Sequence, residues 1–445
     1  MRRVPAHEVP AFKQQTLGTQ HYKGHALLAV FLYQLRQVAH GRCDQLAEGF
    51  ASGTCVQRRQ RVSINYTPMG IAASSGAKYV LIPTDCGPAK LRHEEFHISN
   101  TTLSGKLAGQ GITIPSKKDL EQLIQAVSEI SHFGPALVAE HPGWCGKAFA
   151  QQDGTVIGPE RDGVHVVFQP NAGRIRSRGT LAEWQEQVAG PVARQPIPAF
   201  AIMAAFLPAV LRFMPQVGNV TLELVGSADT GKSTIQKLAA SVAYPPDGLN
   251  SCRDVQRDLH GLLDAGWDYP LFLDHAEPTL LTATKPKKAE LYAAIAFDLL
   301  RASGGRLIML SGREPLREAC GVGSADETVL SLRIPGGDHG VFRRAPRGFA
   351  NAAGFADSLV TAARAHHGHA YPELVKALLD QPSADKIKRR VAQFQSNFYS
   401  LAKRKGFVGC SQRSLRTIGA IYAVGRAGPR GRGCCWRSAR HWRTW

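Results

Sequence analysis

Hydrophobic and polar positions alternate immediately before a glycine-rich segment, and a helical pattern follows it. In "VTLELV" (220–225), Val220, Leu222 and Leu224 stand at every second position, the period of a strand that enters a core. From residue 233 onward, apolar residues recur at the spacing of one helix face. The pattern therefore predicts a strand, a loop and a helix, in that order.

The loop between them has the spacing of a phosphate-binding motif, G-x-x-x-x-G-K-[ST]. In such loops, backbone N–H groups and the positive end of the following helix surround the β-phosphate. Lys232 would reach the β- and γ-phosphates, and the Ser233 hydroxyl would bind Mg²⁺. A chance glycine turn is the alternative, which the flanking strand and helix disfavour. The expected ATP and Mg²⁺ site comprises Gly226, Ser227, Ala228, Asp229, Thr230, Gly231, Lys232, Ser233 and Thr234.

Two later strands end in polar residues that suit the same site. The apolar strand within "DYPLFLDHAEP" (268–278) ends in Asp274, which would hold Mg²⁺ opposite Ser233. The strand in "RLIMLSGREP" (306–315) ends at Ser311, which would orient the attacking water. A small polar residue that merely ends the strand is an equal alternative. Arg313 and Arg333 are candidates for a residue that reaches the γ-phosphate of a neighbouring subunit, although each is more simply a surface arginine.

Periodicity elsewhere predicts further elements. They are strand-like segments at 61–75 and 77–84, a helix after Ser116, a hairpin within 141–158, a helix capped by Thr180, a buried helix at 199–211 and an amphipathic helix at 384–402. Together they predict an α/β fold: a P-loop NTPase domain of AAA+ or helicase-like type with a mostly parallel sheet, preceded by a smaller α+β module and followed by a helical segment.

The 445 residues, 44% apolar, can bury two to three cores. We therefore expect several units rather than one. They are a basic N-terminal extension, an α+β module, a helical connection, the ATPase domain, a helical segment and a basic tail, at 1–62, 63–175, 176–215, 216–372, 373–425 and 426–445.

The net charge of +19 favours a nucleic-acid partner, but the basic residues are concentrated at the ends. Residues 1–62 hold nine Lys or Arg against three acids, and residues 426–445 hold six Arg and no acid. The final segment has no helical or strand period. It is either a basic, disordered tail that contacts nucleic acid or the product of a frameshifted gene.

Membrane insertion and disulfide bonding are not expected. The apolar runs at 26–35 and 199–211 are shorter than the roughly 20 residues that a membrane span needs. No secretory leader pattern opens the chain, and the nine cysteines lack a zinc or disulfide spacing. The expected compartment is the cytoplasm.

Four motifs agree in order and spacing with a known family. They are "GWCGKAF" with "DGTVIG", then "GTLAEWQEQVAGPV", "FAIMAAFLPAVL" and "LELVGSADTGKSTIQKLAASV". Over roughly residues 63–400 the chain resembles the bacterial domain of unknown function 927 (DUF927). Members look like helicase-type P-loop ATPases of phages, integrative elements and plasmids, in places joined to primase modules.

The expected catalytic set comprises Lys232, Asp274, Ser311 and the residue after Asp274, and the resemblance bears on the last of these. That residue is typically Glu in the family, but His275 here, which leaves His275 or Glu277 as the base. We expect an ATP-dependent, helicase-like protein that acts on single-stranded DNA, with primase or other replication proteins as partners and a homo-oligomeric state. The alternatives are a nucleotide-gated binding module with little hydrolysis and, less well supported, a small-molecule kinase.

Overall fold

The computed structural model describes residues 67–73, 75–84, 89–139, 141–158, 165–168, 177–265, 267–274, 283–301, 304–322, 329–346, 348–404 and 411–427. Its strands are β1 Met69–Ala73, β2 Lys78–Ile82, β3 Ala89–Arg92, β4 Phe133–Ala139, β5 Gly143–Cys145, β6 Ala148–Ala150, β7 Val156–Ile157, β8 His165–Phe168, β9 Val220–Val225, β10 Asn250–Ser251, β11 Pro270–Asp274, β12 Leu307–Gly312 and β13 Val329–Arg333.

The α-helices are α1 Asn100–Gly109, α2 Lys117–Ser128, α3 Leu181–Trp184, α4 Gly190–Val192, α5 Pro196–Ala205, α6 Leu207–Leu211, α7 Lys232–Ala240, α8 Cys252–Arg257, α9 Leu259–Ala265, α10 Lys285–Ala293, α11 Leu299–Arg301, α12 Leu316–Ala319, α13 Ala352–Ala365, α14 Ala370–Leu379, α15 Ala384–Arg404 and α16 Gln412–Ala427. A 3₁₀ segment covers His93–His97, and π segments cover Gln185–Ala189 and Ala294–Asp298. Among the described helices, none is both long enough and apolar enough to cross a membrane.

A mixed sheet forms the first part of the described chain, in the order β3-β2-β1-β4-β8. β1 pairs antiparallel with β2 and parallel with β4. Helices α1 and α2 share one hydrophobic cluster with β2 and β3, to which Leu103, Leu107 and Leu120 contribute. The two strand-like segments predicted here therefore contain β1 and β2, and the helix predicted after Ser116 is α2, which Ser116 caps.

The predicted hairpin within 141–158 is confirmed as the antiparallel sheet β5-β6-β7. Thr180 also caps its helix: its hydroxyl oxygen accepts from the backbone N–H of Glu183. The Glu183 carboxylate in turn accepts from the Thr180 hydroxyl at 2.7 Å. In a reciprocal capping box it would accept from the Thr180 backbone N–H instead. The hairpin and this helix stand on either side of β8 in the sequence and lead towards a second five-stranded sheet.

That sheet is parallel throughout, in the order β10-β11-β12-β9-β13. β12 lies between β9 and β11, so Ser311 pairs with Leu224, and Leu310 pairs with Leu273. Because the strands are parallel, their carboxyl ends meet at one edge. This is the mixed α/β architecture with a parallel sheet that the periodicity predicts.

Two short helices fill the core beside the sheet. Every residue of α5 and α6 is buried, as expected for helices that are apolar on all sides. α5 packs against α7 and α16, and it shares its hydrophobic cluster with Leu222 and Met309 of the sheet. The buried helix predicted at 199–211 is therefore present, interrupted at Phe206.

A helical hairpin, α15 and α16, ends the described chain. The amphipathic helix predicted at 384–402 is confirmed by α15, which buries Ile387, Val391 and Phe398. An added Cβ at Gly425 would lie 2.3 Å from the Met203 sulfur, so glycine lets α16 approach α5 closely. Residues 1–62 and 428–445 lie outside the described residues, as do the predictions made for them.

Candidate functional site

The glycine-rich loop joins the buried strand β9 to α7. All six residues of β9 are buried, which fixes where the loop begins. The backbone turns into left-handed conformations at Asp229 (φ 58°) and Gly231 (φ 90°), and α7 starts at the next residue, Lys232. The Thr230 hydroxyl closes the turn by donating to the Ser227 carbonyl at 3.0 Å.

The nine predicted loop residues differ in exposure. Ser227, Ala228 and Asp229 form an exposed tip, whereas Thr230 is only 7% exposed. The others, Gly226, Gly231, Lys232, Ser233 and Thr234, are partly buried. The tip of the loop is thus exposed, and the first turn of α7, which follows it, is partly buried.

Lys232 reaches back over the loop. Its ammonium group donates to the carbonyl oxygens of Gly226 at 2.7 Å and Ser227 at 2.6 Å. The positive charge of Lys232 therefore lies against the loop backbone. An ammonium so placed can exchange carbonyl acceptors for anionic oxygen atoms without a change of backbone.

Three predicted polar side chains converge at the carboxyl edge of the parallel sheet. Asp274, at the end of β11, accepts from the Ser233 hydroxyl at 3.0 Å and from the Ser311 hydroxyl at 2.6 Å. Ser311 is 2% exposed. The neighbouring ends of β11 and β12 and the first turn of α7 thereby bring one carboxylate and two hydroxyls together beside Lys232.

A buried glutamine, which the sequence-based prediction missed, fixes this convergence. Gln236 of α7 is fully buried, and its side-chain amide donates to the carbonyls of Leu273 at 2.9 Å and Met309 at 3.0 Å. These two bonds tie α7 to β11 one residue before Asp274 and to β12 two residues before Ser311. A polar residue within the apolar stripe of a helix was the available signal.

The segment 334–342 packs on the loop from the side and was also missed. Its Val341 N–H donates to the Thr230 carbonyl at 2.9 Å. An added Cβ at Gly340 would lie 2.3 Å from the same oxygen, and one at Gly231 would lie 2.7 Å from a Val341 methyl group. Glycine at both positions is therefore required for the close packing of this segment against the loop.

The two candidate arginines lie at the same edge. Arg333 ends β13 and pairs in register with Val225, the last residue of β9, and Arg313 directly follows β12. Both side chains are exposed. His275 and Glu277, by contrast, lie outside the described residues.

A buried carboxylate, Glu223, lies within β9 behind the loop. It is 2% exposed and accepts from the Leu316 backbone N–H at 2.9 Å and from the Ser331 hydroxyl. Burial raises the pKa of Glu223 above its ordinary value, which its two hydrogen bonds partly offset. It links β9 to β13 and to the start of α12.

Comparison with known proteins supports the family resemblance for part of the chain and a helicase-like fold. Residues 89–280 match the model of the family described as "Domain of unknown function (DUF927)". No curated protein matches the chain. A solved structure titled "SCCmec type IV Cch - active helicase" is similar with a TM-score of 0.53 and 16% identity, over 81% of this chain and 70% of that chain. At this identity the likeness shows the fold alone.

Proposed function

We propose that this chain is an ATP-binding and ATP-hydrolysing, helicase-like protein that acts on DNA in the replication or maintenance of a phage or mobile element. The observation that carries the proposal is the convergence of Lys232, Ser233, Asp274 and Ser311 at one edge of a parallel sheet. A P-loop NTPase needs an ammonium group, a hydroxyl and a carboxylate in this relation to a glycine-rich loop.

The loop offers two kinds of contact to phosphate groups. The backbone N–H groups of its exposed tip and the N-terminal end of α7 favour negative charge. Lys232 would exchange the carbonyls of Gly226 and Ser227, its present acceptors, for β- and γ-phosphate oxygens. The same side chain would then hold the loop closed around the nucleotide.

The donor set also fits Mg²⁺, a hard cation that prefers oxygen ligands. Ser233 would bind it through its hydroxyl, and Asp274 through its carboxylate, directly or through water. When bound, Mg²⁺ would neutralise charge on the β- and γ-phosphates. Ser311, whose hydroxyl now donates to Asp274, would turn towards the attacking water and orient it.

Action on DNA is proposed from the fold and the charge together. The similar solved structure is titled an active helicase, and this chain carries a net charge of +19. A basic protein of helicase-like fold suits a polyanionic partner. Single-stranded DNA is the partner we propose, with a homo-oligomer and a primase or other replication protein as further components.

The decisive test is ATP affinity in the presence of Mg²⁺, measured for the unmodified chain and for Lys232→Ala. Loss of two charged hydrogen bonds to phosphate is expected to weaken binding by about 100-fold or more. Lys237→Ala is the matched control, because Lys237 lies on the same helix and faces Asp247 at 3.9 Å instead of the loop. Unchanged ATP affinity in Lys232→Ala would contradict the proposed nucleotide site.

Turnover measured with and without single-stranded DNA then separates the two leading functions. Stimulation of ATP hydrolysis by DNA supports a motor. Tight ATP binding without turnover supports a nucleotide-gated binding module, the alternative that His275 in place of a glutamate favours.

A further inference from the structure

We propose that the outward face of α15 binds single-stranded DNA through the sugar–phosphate backbone. This inference rests on the proposed action on DNA and assigns it a surface. The basic hairpin face, as we name it, consists of exposed or partly exposed residues that recur on one side of the helix. They are Lys386, Arg389, Arg390, Gln393, Asn397, Ser400 and Arg404.

The opposite face of α15 is already engaged in the protein core. Ile387, Val391 and Phe398 belong to the main hydrophobic cluster, and α16 packs along the helix, with Gly419 placed where a Cβ would lie 3.1 Å from Phe398 and Tyr399. A helix that lies on a membrane must insert its apolar face into the lipid. Because that face is buried here, the outward cations are better suited to a polyanion in solution than to a lipid surface.

The hairpin has almost no negative charge of its own. Across its described residues, 384–404 and 411–427, the only acid is Asp385, which pairs with Lys388 at 3.5 Å. On two other helices, cations face carboxylates: Lys106 faces Glu95 at 2.5 Å, and Arg364 faces Asp247 at 2.8 Å.

Like charges also stand close together on this face. Lys386 is three residues from Arg389 and four from Arg390, which are the spacings at which helix side chains are neighbours. Like charges at these spacings destabilise a helix, and phosphate groups bound along the face would relieve the repulsion. The charge pattern is therefore costly to the free helix and favourable in a complex with a polyanion.

The face is long enough to follow a strand. From Lys386 to Arg404 it extends about 27 Å, at about 1.5 Å per residue. Its neutral members, Gln393, Asn397 and Ser400, can donate hydrogen bonds to phosphate oxygens. Cations and neutral donors spread over this length suit contacts that do not depend on base sequence.

A partly exposed aromatic ring at the border of the face favours a single strand over a duplex. The Arg390 guanidinium lies 5.9 Å from the centre of the Phe394 ring, which is partly exposed. Unpaired bases can stack on such rings and on arginine planes, whereas the bases of a duplex cannot reach them.

The test compares two full-length variants that lose the same charge. The first is Lys386→Gln/Arg389→Gln/Arg404→Gln, and the matched control is Lys117→Gln/Lys118→Gln/Lys147→Gln, whose lysines are exposed in the N-terminal part of the described chain. Affinity for an oligo-dT strand is measured by fluorescence anisotropy without nucleotide, over a series of salt concentrations. Circular dichroism checks that both variants are folded.

We expect the α15 variant to bind the strand at least tenfold more weakly, with the salt slope reduced by about 2, since each phosphate contact on a single strand contributes about 0.7. The control should retain affinity within about threefold. Equal losses in the two variants, or equal binding of duplex by the unmodified chain, would overturn the proposal. The proposal would also be overturned if the α15 variant lost binding to anionic vesicles but bound DNA as before.

Failure of this inference is distinguishable from failure of the proposed function. ATP affinity should be unchanged in the α15 variant, because the hairpin is not part of the loop or of the Asp274 cluster. The α15 variant could retain ATP binding, DNA-stimulated turnover and full affinity for DNA. That result would refute only the assigned surface. An unmodified chain that binds no ATP would refute the proposed function instead.

Discussion

The two edges of the parallel sheet each carry an aspartate, and the two carboxylates accept from different kinds of donor. At the carboxyl edge, Asp274 accepts from the hydroxyls of Ser233 and Ser311. At the amino edge, Asp268 accepts from the backbone N–H groups of Trp144 at 2.9 Å and Gly305 at 2.5 Å. A hydroxyl can rotate towards another acceptor, but a backbone N–H cannot. The first arrangement can thus adapt to a ligand, whereas the second is fixed.

Backbone conformation shows the same contrast. Within the described ranges, Asp229 and Asp268 are the non-glycine residues with positive φ, at 58° and 52°. Asp229 lies at the exposed tip of the glycine-rich loop, and Asp268 is 3% exposed. Such conformations are strained and persist where the surroundings support them. Buried hydrogen bonds support Asp268, while the strain at Asp229 belongs to a loop whose backbone is open to a ligand.

The amino edge also joins the small antiparallel sheet to the parallel one. The Trp144 indole donates to the Ala209 carbonyl at 2.9 Å, and the Arg212 guanidinium lies 4.6 Å from the Trp144 ring. Arg306 is fully buried nearby, and burial lowers its pKa to about 10. Packing and hydrogen bonding within the fold therefore account for the contacts of Trp144. Whereas the cluster at the carboxyl edge can adapt to a ligand, the polar cluster at this edge holds the fold together.

Substitution of the carboxyl-edge aspartate should have the largest effect. In Asp274→Asn, Mg²⁺-dependent ATP turnover should fall by about 100-fold, the upper end of what loss of a metal-site contact commonly causes. ATP binding measured without metal should change far less. Steady-state kinetics and metal-free binding are the two measurements.

The matched control is Asp338→Asn, since Asp338 is exposed in the segment that packs on the loop. Its turnover should remain within about twofold of that of the unmodified chain. An equal fall in metal-free binding and in turnover for Asp274→Asn would show that Asp274 is structural, and the contrast between the two edges would disappear.

Substitution of the amino-edge aspartate should act on stability instead. Asp268→Ala leaves the partly buried N–H of Trp144 and the buried N–H of Gly305 without their acceptor, and a buried group so left costs about 1–3 kcal/mol. We expect the free energy of unfolding to fall by about 3 kcal/mol, measured by urea denaturation. ATP affinity per folded molecule should be unchanged; a selective loss of ATP binding in a stable variant would place Asp268 in the functional site.

Local sequence patterns predicted much of the carboxyl edge. The alternation in 220–225 and the motif spacing located β9, the loop and α7, and Asp274 and Ser311 were assigned to the same site as polar residues at the ends of two later strands. The position of β12 between β9 and β11 had no local signal, because strand order depends on tertiary packing. The roles of these residues in ATP hydrolysis remain predictions.

The amino edge could not be predicted in the same way. Trp144 and Asp268 are 124 residues apart, and neither belongs to a motif whose spacing implies the contact. At the carboxyl edge, Gln236 likewise gave only a weak signal as a polar residue on an apolar helix face, because its two acceptors are carbonyls of separate strands. Contacts of this kind depend on the assembled fold rather than on neighbouring residues.

The smallest expected effect concerns Glu223, which lies between the two edges within β9. Burial raises its folded-state pKa above the ordinary value of 4.5, so the folded protein binds this proton more tightly than the unfolded chain. The contribution of this proton binding to the free energy of unfolding is therefore complete below pH 4.5 and is lost as pH rises through the raised pKa of Glu223. The loss is at most about 1.4 kcal/mol per pH unit.

Glu223→Gln should flatten this dependence, because the amide does not titrate and can still accept from the Leu316 N–H while donating to the Ser331 hydroxyl. Urea denaturation between pH 4.5 and 8 should show a smaller fall in unfolding free energy than in the unmodified chain. Glu314→Gln, an exposed neighbour, should leave the dependence unchanged. ATP affinity should be the same in all three proteins, since Glu223 contacts β13 and α12 rather than the loop. An unaltered pH dependence in Glu223→Gln would show that ionisation of Glu223 does not lower the free energy of unfolding. This buried position would then differ from the aspartates at both edges of the sheet.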